Sequence, residues 1–176
     1  MVDGSRADLL ERLARFPADL DAASAAGAGA AGGGAAAGAG PAASGSAASA
    51  SDGAASGGEW GPAEITRHLI AVEEEVWQTR LEGMAAGDEP RWDRVEPGQV
   101  AGLDDASLAV ILATFARARS RTLAIVRALD EPGWARAGIH ATYGRLDVAG
   151  LLRVAIDHDQ EHLASIPRTD GERPAS

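Results

Sequence analysis

The segment AIDHDQEH, residues 155–162, sets two of the chain's four histidines four positions apart. On a helix, positions i and i+4 are neighbours on one face, with Cβ atoms roughly 6 Å apart. Two imidazoles so placed can both reach one ion at about 2.0–2.1 Å, which is the chemistry of a divalent metal site. Spacing alone is a weak signal, because the pair also needs a third partner and an inward face. On a helical wheel His158 and His162 fall within about 20° of Leu151, inside the apolar stripe. His68 sits between Ile65, Leu69 and Val72 on the inward side of an earlier helix. Three histidines therefore project from two helices into one core. Either each finds its own partner, since an unpaired buried polar group costs about 1–3 kcal/mol, or one divalent ion satisfies all three. We take the shared ion as the expectation.

The neighbouring polar residues read less sharply. HDQEH also spells H-x-x-E-H, an inverted zinc-protease motif whose third ligand comes from far downstream. Too little chain follows His162 for that, and Glu161 falls on the flank of the wheel, so this motif is rejected. Asp157 faces outward. Asp159 borders the interior, either as an acceptor that orients a ligand histidine or as a solvated surface charge. Glu75 follows His68 on the same face two turns later. It is a candidate general base or fourth ligand, or the partner of Arg119 or Arg80 in a salt bridge. His140, Tyr143 and Arg145 precede the last helix and are candidates for the rim of a substrate site.

Composition narrows the function classes. The formal net charge of the 176 residues is −10, which disfavours nucleic acid and anionic membrane surfaces as partners. Cysteine is absent, so disulfides, thiolate zinc sites and a cysteine nucleophile are excluded, and any metal must be held by histidine and carboxylate. The opening MVDGSRADLLERLARF has no apolar signal-peptide region, and no stretch approaches the length of a membrane span. A soluble, cytoplasmic protein acting on a small molecule is expected.

Four helices must position the histidines. Leu9, Leu13, Phe16 and Leu20 form one face of a helix over about Ser5–Leu20. The second starts at EWGPAEITRHL, with Gly61 as N-cap, Pro62 in the first turn and Glu64 at the third position, and runs to about Met84. Its stripe is Ile65, Leu69, Val72 and Val76. The third spans roughly Asp105–Leu129, capped by Asp104, and the fourth runs from the Asp147 cap to about Ile166. Strand signals are nearly absent; GIHATYGRL reads as a short extended turn. Residues 22–58 are alanine, glycine and serine apart from Pro41 and Asp52, and read as a flexible low-complexity insert. Together these give one all-α domain over 1–168, a four-helix bundle, with a disordered tail at 169–176. The connection from Gly83 to Leu103 is long enough to return along the bundle, so that helices two and three could lie parallel. Trp92 within it suggests that part of it packs.

The pieces EWGPAEITRHL, ARSRTLAIVRALDEPGW, GIHATYGRLDVAGLL and DHDQEHLASI, in this order, resemble the DinB/YfiT-like superfamily of small metal-binding four-helix bundles. The likeness covers about residues 59–167 plus a weaker first helix. It implies an up-down-down-up bundle, frequently dimeric, with His68, His158 and His162 as ligands of zinc, nickel or iron. It also implies open positions for water or substrate, and an activity such as transfer of a small thiol of the mycothiol or bacillithiol type. A metal-dependent hydrolase and a non-catalytic metal-binding or dimerisation bundle are the alternatives. Two departures stand out: Gly61 replaces the usual serine cap, and the insert replaces the ordinary connection between helices one and two.

Overall fold

The computed structural model describes residues 5–28, 60–87, 89–98 and 100–166. The first helix, α1 (Arg6–Ala28), opens on a reciprocal cap. The Asp8 carboxylate accepts from the Ser5 amide at 2.8 Å, and the Ser5 hydroxyl accepts from the Asp8 amide at 3.2 Å. Leu9, Leu13, Phe16 and Leu20 are all buried, as the periodicity predicts. The helix continues beyond the expected end near Leu20. Ala22, Ala23, Ala25 and Ala26 are strong helix formers and carry it to Ala28 before glycine dominates. The first seven residues assigned to the insert are thus helical. Residues 29–58 and the tail 169–176 lie outside the described residues.

The second helical run is continuous but not uniform. It comprises α2 (Pro62–Ala71), a π-helical stretch (Val72–Gln78) and α3 (Thr79–Ala85). Glu64 reaches back to the Gly61 amide at 2.6 Å, and Pro62 occupies the first turn as expected. Ile65, Leu69, Val72 and Val76 are buried, but so are Trp77, Leu81 and Met84. On a uniform wheel of 100° per residue the second group lies roughly one residue out of phase with the first. The wider i→i+5 turn of the π stretch absorbs that difference, so both groups face the core.

The long connection doubles back along this run. Arg80 donates to the Asp93 carbonyl at 3.4 Å, and Glu75 accepts from the Gly98 amide at 2.9 Å. Arg67 donates to the carbonyls of Leu103 and Asp104, each at 2.9 Å. That clamp holds the backbone at Asp104 outside the next helix. The N-cap of α4 (Leu108–Arg127) is therefore Ser107, not Asp104. The short α5 (Glu131–Trp134) follows, capped by Asp130, which accepts from the Gly133 amide at 2.8 Å. The last helix, α6 (Val148–Ser165), starts at the expected cap, with Asp147 accepting from the Gly150 amide at 2.7 Å.

Strand content exceeds the expectation. The residues read as an extended turn form a hairpin, β2 (Ala137–His140) and β3 (Gly144–Asp147), to which β1 (Arg91–Trp92) adds in parallel. Gly144 takes a positive φ of 70° at the turn, a conformation that glycine adopts without penalty. No run of β-branched residues marks these strands. Their order comes from the ladder and from Arg136, which donates to the Ala85 carbonyl at the end of α3.

The molecule is mostly helical. Its α1 packs on α4 and α6, and α2 packs on α4. One apolar cluster includes Leu9, Leu13, Trp77, Leu81, Val126, Leu151 and Ile156; a second includes Phe16, Leu20, Ile65, Leu69, Phe115 and Ile166. Phe16 and Phe115 meet edge to face at 5.8 Å. Among the described residues no helix is long and apolar enough to cross a membrane.

Candidate metal centre

Helix α2 supplies His68, and α6 supplies His158 and His162 one turn apart. The structure brings the three together: their ligand atoms all lie within 4.8 Å of one another. The Nε2 atoms of His158 and His162 are 3.2 Å apart. Two ligands on one tetrahedral ion at about 2.0–2.1 Å stand roughly 3.3 Å from each other, so the pair already has the right bite. Ring centroids of His68 lie 5.5 Å from His158 and 4.8 Å from His162. All three side chains are half-buried. Burial holds the pKa of each below the ordinary imidazole range. His158, crowded also by His162, His68 and Arg119, is pushed down to about 3, and His162 to about 4. Neutral rings with free lone pairs are the form a metal requires. One atom stands out: Nδ1 of His158 is buried and has no hydrogen-bond partner.

Two indoles flank the cluster. Trp60 stacks parallel to His162 at 6.4 Å and tilts against His68 at 5.3 Å, while Trp77 presents to His158 edge to face at 6.0 Å. The donor set is thus three imidazoles walled by aromatic surface, and it fits a borderline divalent ion better than a hard, oxygen-seeking one.

The acidic candidates have other partners. Asp159 is buried rather than a solvated surface charge, and Arg119 takes both its oxygens, at 2.8 and 3.1 Å. Glu75 is exposed and holds Gly98. The acid that meets Arg119 is Glu73, at 2.5 Å from Nη2 and 2.7 Å from Nε. Glu73 also accepts from the Thr122 hydroxyl, which takes a bond from Gln78 at 3.3 Å. Arg119 reaches the Leu13 carbonyl at 3.4 Å and lies over the rings of Phe115 and Phe16. Burial disfavours the Arg119 charge, but Glu73 and Asp159 raise its pKa above the usual value. With two carboxylates on one guanidinium, burial and Glu73 push Asp159 up to about 6 against the pull of Arg119.

The rim candidates sit with the sheet. His140 is buried at the end of β2, and its Nδ1 accepts from the amides of Thr142 and Tyr143 at 3.0 and 3.3 Å. Tyr143 lies against it, ring to ring at 4.8 Å. Arg145 is exposed and pairs with Glu89 at 3.0 Å. The sequence reading missed Trp60, Trp77 and Glu73 as parts of the centre and its support, and gave Arg119 the partner Glu75 in place of Glu73 and Asp159. Trp60 had a signal, since it sits directly before the cap of the helix that carries His68. Trp77 did not, because nine residues after His68 is the opposite face of a uniform α-helix.

With the geometry in place, comparison with known proteins adds two findings. The sequence profile of the DinB superfamily matches residues 1–166. Among solved structures, YfiT from Bacillus subtilis superposes with a TM-score of 0.60 and 16% identity, over 94% of this chain and 87% of that one. YfiT is described as a probable metal-dependent hydrolase with an unusual four-helix bundle topology. At this identity the likeness is one of fold. No individual protein of curated function matches the chain by sequence.

Proposed function

From the DinB superfamily, to which this chain belongs, we propose a metal-dependent enzyme whose one divalent ion is held by His68, His158 and His162. Three neutral imidazoles leave positions open, as catalytic rather than closed structural sites do. Zinc, nickel and iron all suit such donors. Bound there, the ion would lower the pKa of a thiol or water that reached it. In the same reading α2 and α4 run parallel, giving an up-down-down-up order, because the connection between them returns along α3 and α2.

The favoured nucleophile is a small thiol of the mycothiol type. One observation carries this choice: among the described residues no carboxylate joins the histidine cluster. Asp159 and Glu73 are committed to Arg119, and Glu75 to Gly98. An attacking water is ordinarily helped by a positioned base. A thiol, with a free pKa of about 8.5, gives up its proton far more readily. The chain has no cysteine, so the thiol comes from outside. Its sulfur bonds to an electrophilic carbon while the leaving group departs with the electron pair. Trp60 and Trp77 offer apolar surface on either side of that event.

Hydrolysis is the second reading, favoured by the description of YfiT. Assays of mycothiol and bacillithiol with monochlorobimane, with and without chelator, separate the two. Thiol transfer that is lost on chelation and in His158→Ala supports the transferase. Metal-dependent ester or amide cleavage without any thiol requirement replaces it with the hydrolase. If neither reaction exceeds the metal-free control, the protein is a metal-binding or dimerisation bundle.

A further inference from the structure

Trp77, which meets His158 edge to face, also lies against a second polar side chain, Arg80. Arg80 is only 5% exposed, yet no carboxylate among the described residues pairs with it. Its guanidinium sits over the indoles of Trp77 and Trp92, at 5.7 and 5.4 Å, and Nη2 makes a single long bond to the Asp93 carbonyl. Among the described residues Nε and Nη1 make no hydrogen bond. A buried cation without a counter-charge is costly, and its pKa is accordingly lowered by burial.

The sheet supplies a second unspent donor. Trp92 and His140 are register partners on neighbouring strands, so their side chains share a face. Gly138 is on that face too, and the Trp92 ring occupies the place its Cβ would take. Arg80 covers the ring from above. His140 is 7% exposed, and because its Nδ1 accepts two backbone amides, its proton must sit on Nε2. That Nε2 has no hydrogen-bond partner among the described residues. Two buried side chains with unpartnered N–H groups thus lie against the same indole, Trp92, with half-exposed Tyr143 beside His140.

We propose that the cluster where α3 meets the sheet, formed by Arg80, His140, Trp77, Trp92 and Tyr143, is an anion subsite that takes the carboxylate of a small organic molecule. The planar fork of Arg80 matches a carboxylate's two oxygens, and the His140 Nε2–H adds a neutral donor. Trp77 is a wall of both sites, so a molecule anchored here extends toward His158. As part of a substrate site the proposal rests on the metal-enzyme reading; as an anion site it does not.

The test is titration of the full chain with acetate and benzoate, followed by tryptophan fluorescence and calorimetry, with chloride as control. Wild type should bind benzoate saturably. Arg80→Met, which keeps the stem but removes the charge, should weaken binding at least tenfold, because a hydrogen bond to a charged group contributes about 1.5–3 kcal/mol. His140→Phe should weaken it less, and His158→Ala should leave it unchanged even though metal loading is lost. If Arg80→Met fails to fold, Arg80→Lys and His140→Phe carry the test, each with reduced affinity expected. Absence of saturation in wild type by roughly 50 mM, a binding energy below about 2 kcal/mol, overturns the proposal. So does full affinity in the Arg80 and His140 variants. Benzoate binding by wild type that takes up no metal would sink the metal centre and leave the subsite standing.

Discussion

The Nε2 atoms of His158 and His162 stand 3.2 Å apart, with His68 completing a cluster whose ligand atoms fit within 4.8 Å. Two neutral rings can share only one proton across that gap. Purified chain is therefore expected to carry about one divalent first-row ion per subunit. Alanine at His68, His158 or His162 should abolish loading, whereas alanine at His140, which belongs to the sheet, should not. Elemental analysis of protein made without a histidine tag checks this. Wild type that stays metal-free after incubation with zinc and nickel refutes it.

Acid should destabilise the chelated protein. The folded pKa values of His158 and His162, about 3 and 4, lie below the unfolded value of about 6.5. Below pH 6.5 the unfolded chain therefore binds more protons, and the stability present at neutral pH is lost as pH falls toward 3. Asp159 acts in the opposite direction, since its folded pKa of about 6 lies above its unfolded one. Two histidines outweigh one aspartate, and the net loss from pH 7 to pH 4 is on the order of a few kcal/mol. Urea midpoints measured across that range should fall; a rise would contradict the assignment.

Replacing Arg119 by methionine removes the cation from two buried acids. Breaking a buried pair from one side costs about 3–5 kcal/mol, because the partner charge remains without compensation. Here two partners remain, Glu73 and Asp159. Arg119→Lys keeps the charge but cannot bridge both acids with a planar fork, and should fall between. Equilibrium urea denaturation measures the series, and an unchanged midpoint for Arg119→Met would rule out the network as a source of stability.

Gly138→Ala should disturb the sheet without touching the histidines. The new Cβ overlaps the Trp92 ring, which cannot stay where it is over β2. Overpacking of this kind costs about 1–3 kcal/mol. Near-ultraviolet circular dichroism should lose signal as Trp92 leaves Arg80, while metal content stays at the wild-type level. Retention of the wild-type spectrum would mean that the strand shifts instead.

Much of this was legible in the residues. The apolar stripes located the helices, Asp147 and the Gly61–Pro62 pair located two of their starts, and the inward phase of His68, His158 and His162 located the cluster. The rest was hidden for identifiable reasons. The π stretch changes the angle per residue, so a uniform wheel turns Trp77 away from His68 and gives Glu75 the place that Glu73 holds. Asp104 looks like a cap, but a tertiary clamp from Arg67 decides where α4 begins. Strands β1–β3 carry little β propensity, and long-range pairing that no local pattern encodes forms them.

Arg119 also bears on how the molecule opens. From α4 it touches the Leu13 carbonyl in α1, Glu73 in the π stretch and Asp159 in α6. Lifting the Glu73 or Asp159 segment away strands a charge in an apolar interior. Small-scale opening is thereby suppressed, and amide exchange near these positions should approach the free energy of global unfolding. The hairpin lies beyond this reach, held by its ladder and by Arg136. Its amides should exchange through a separate, cheaper fluctuation, so the side chains around Arg80 and His140 can loosen while the bundle around the histidines stays closed.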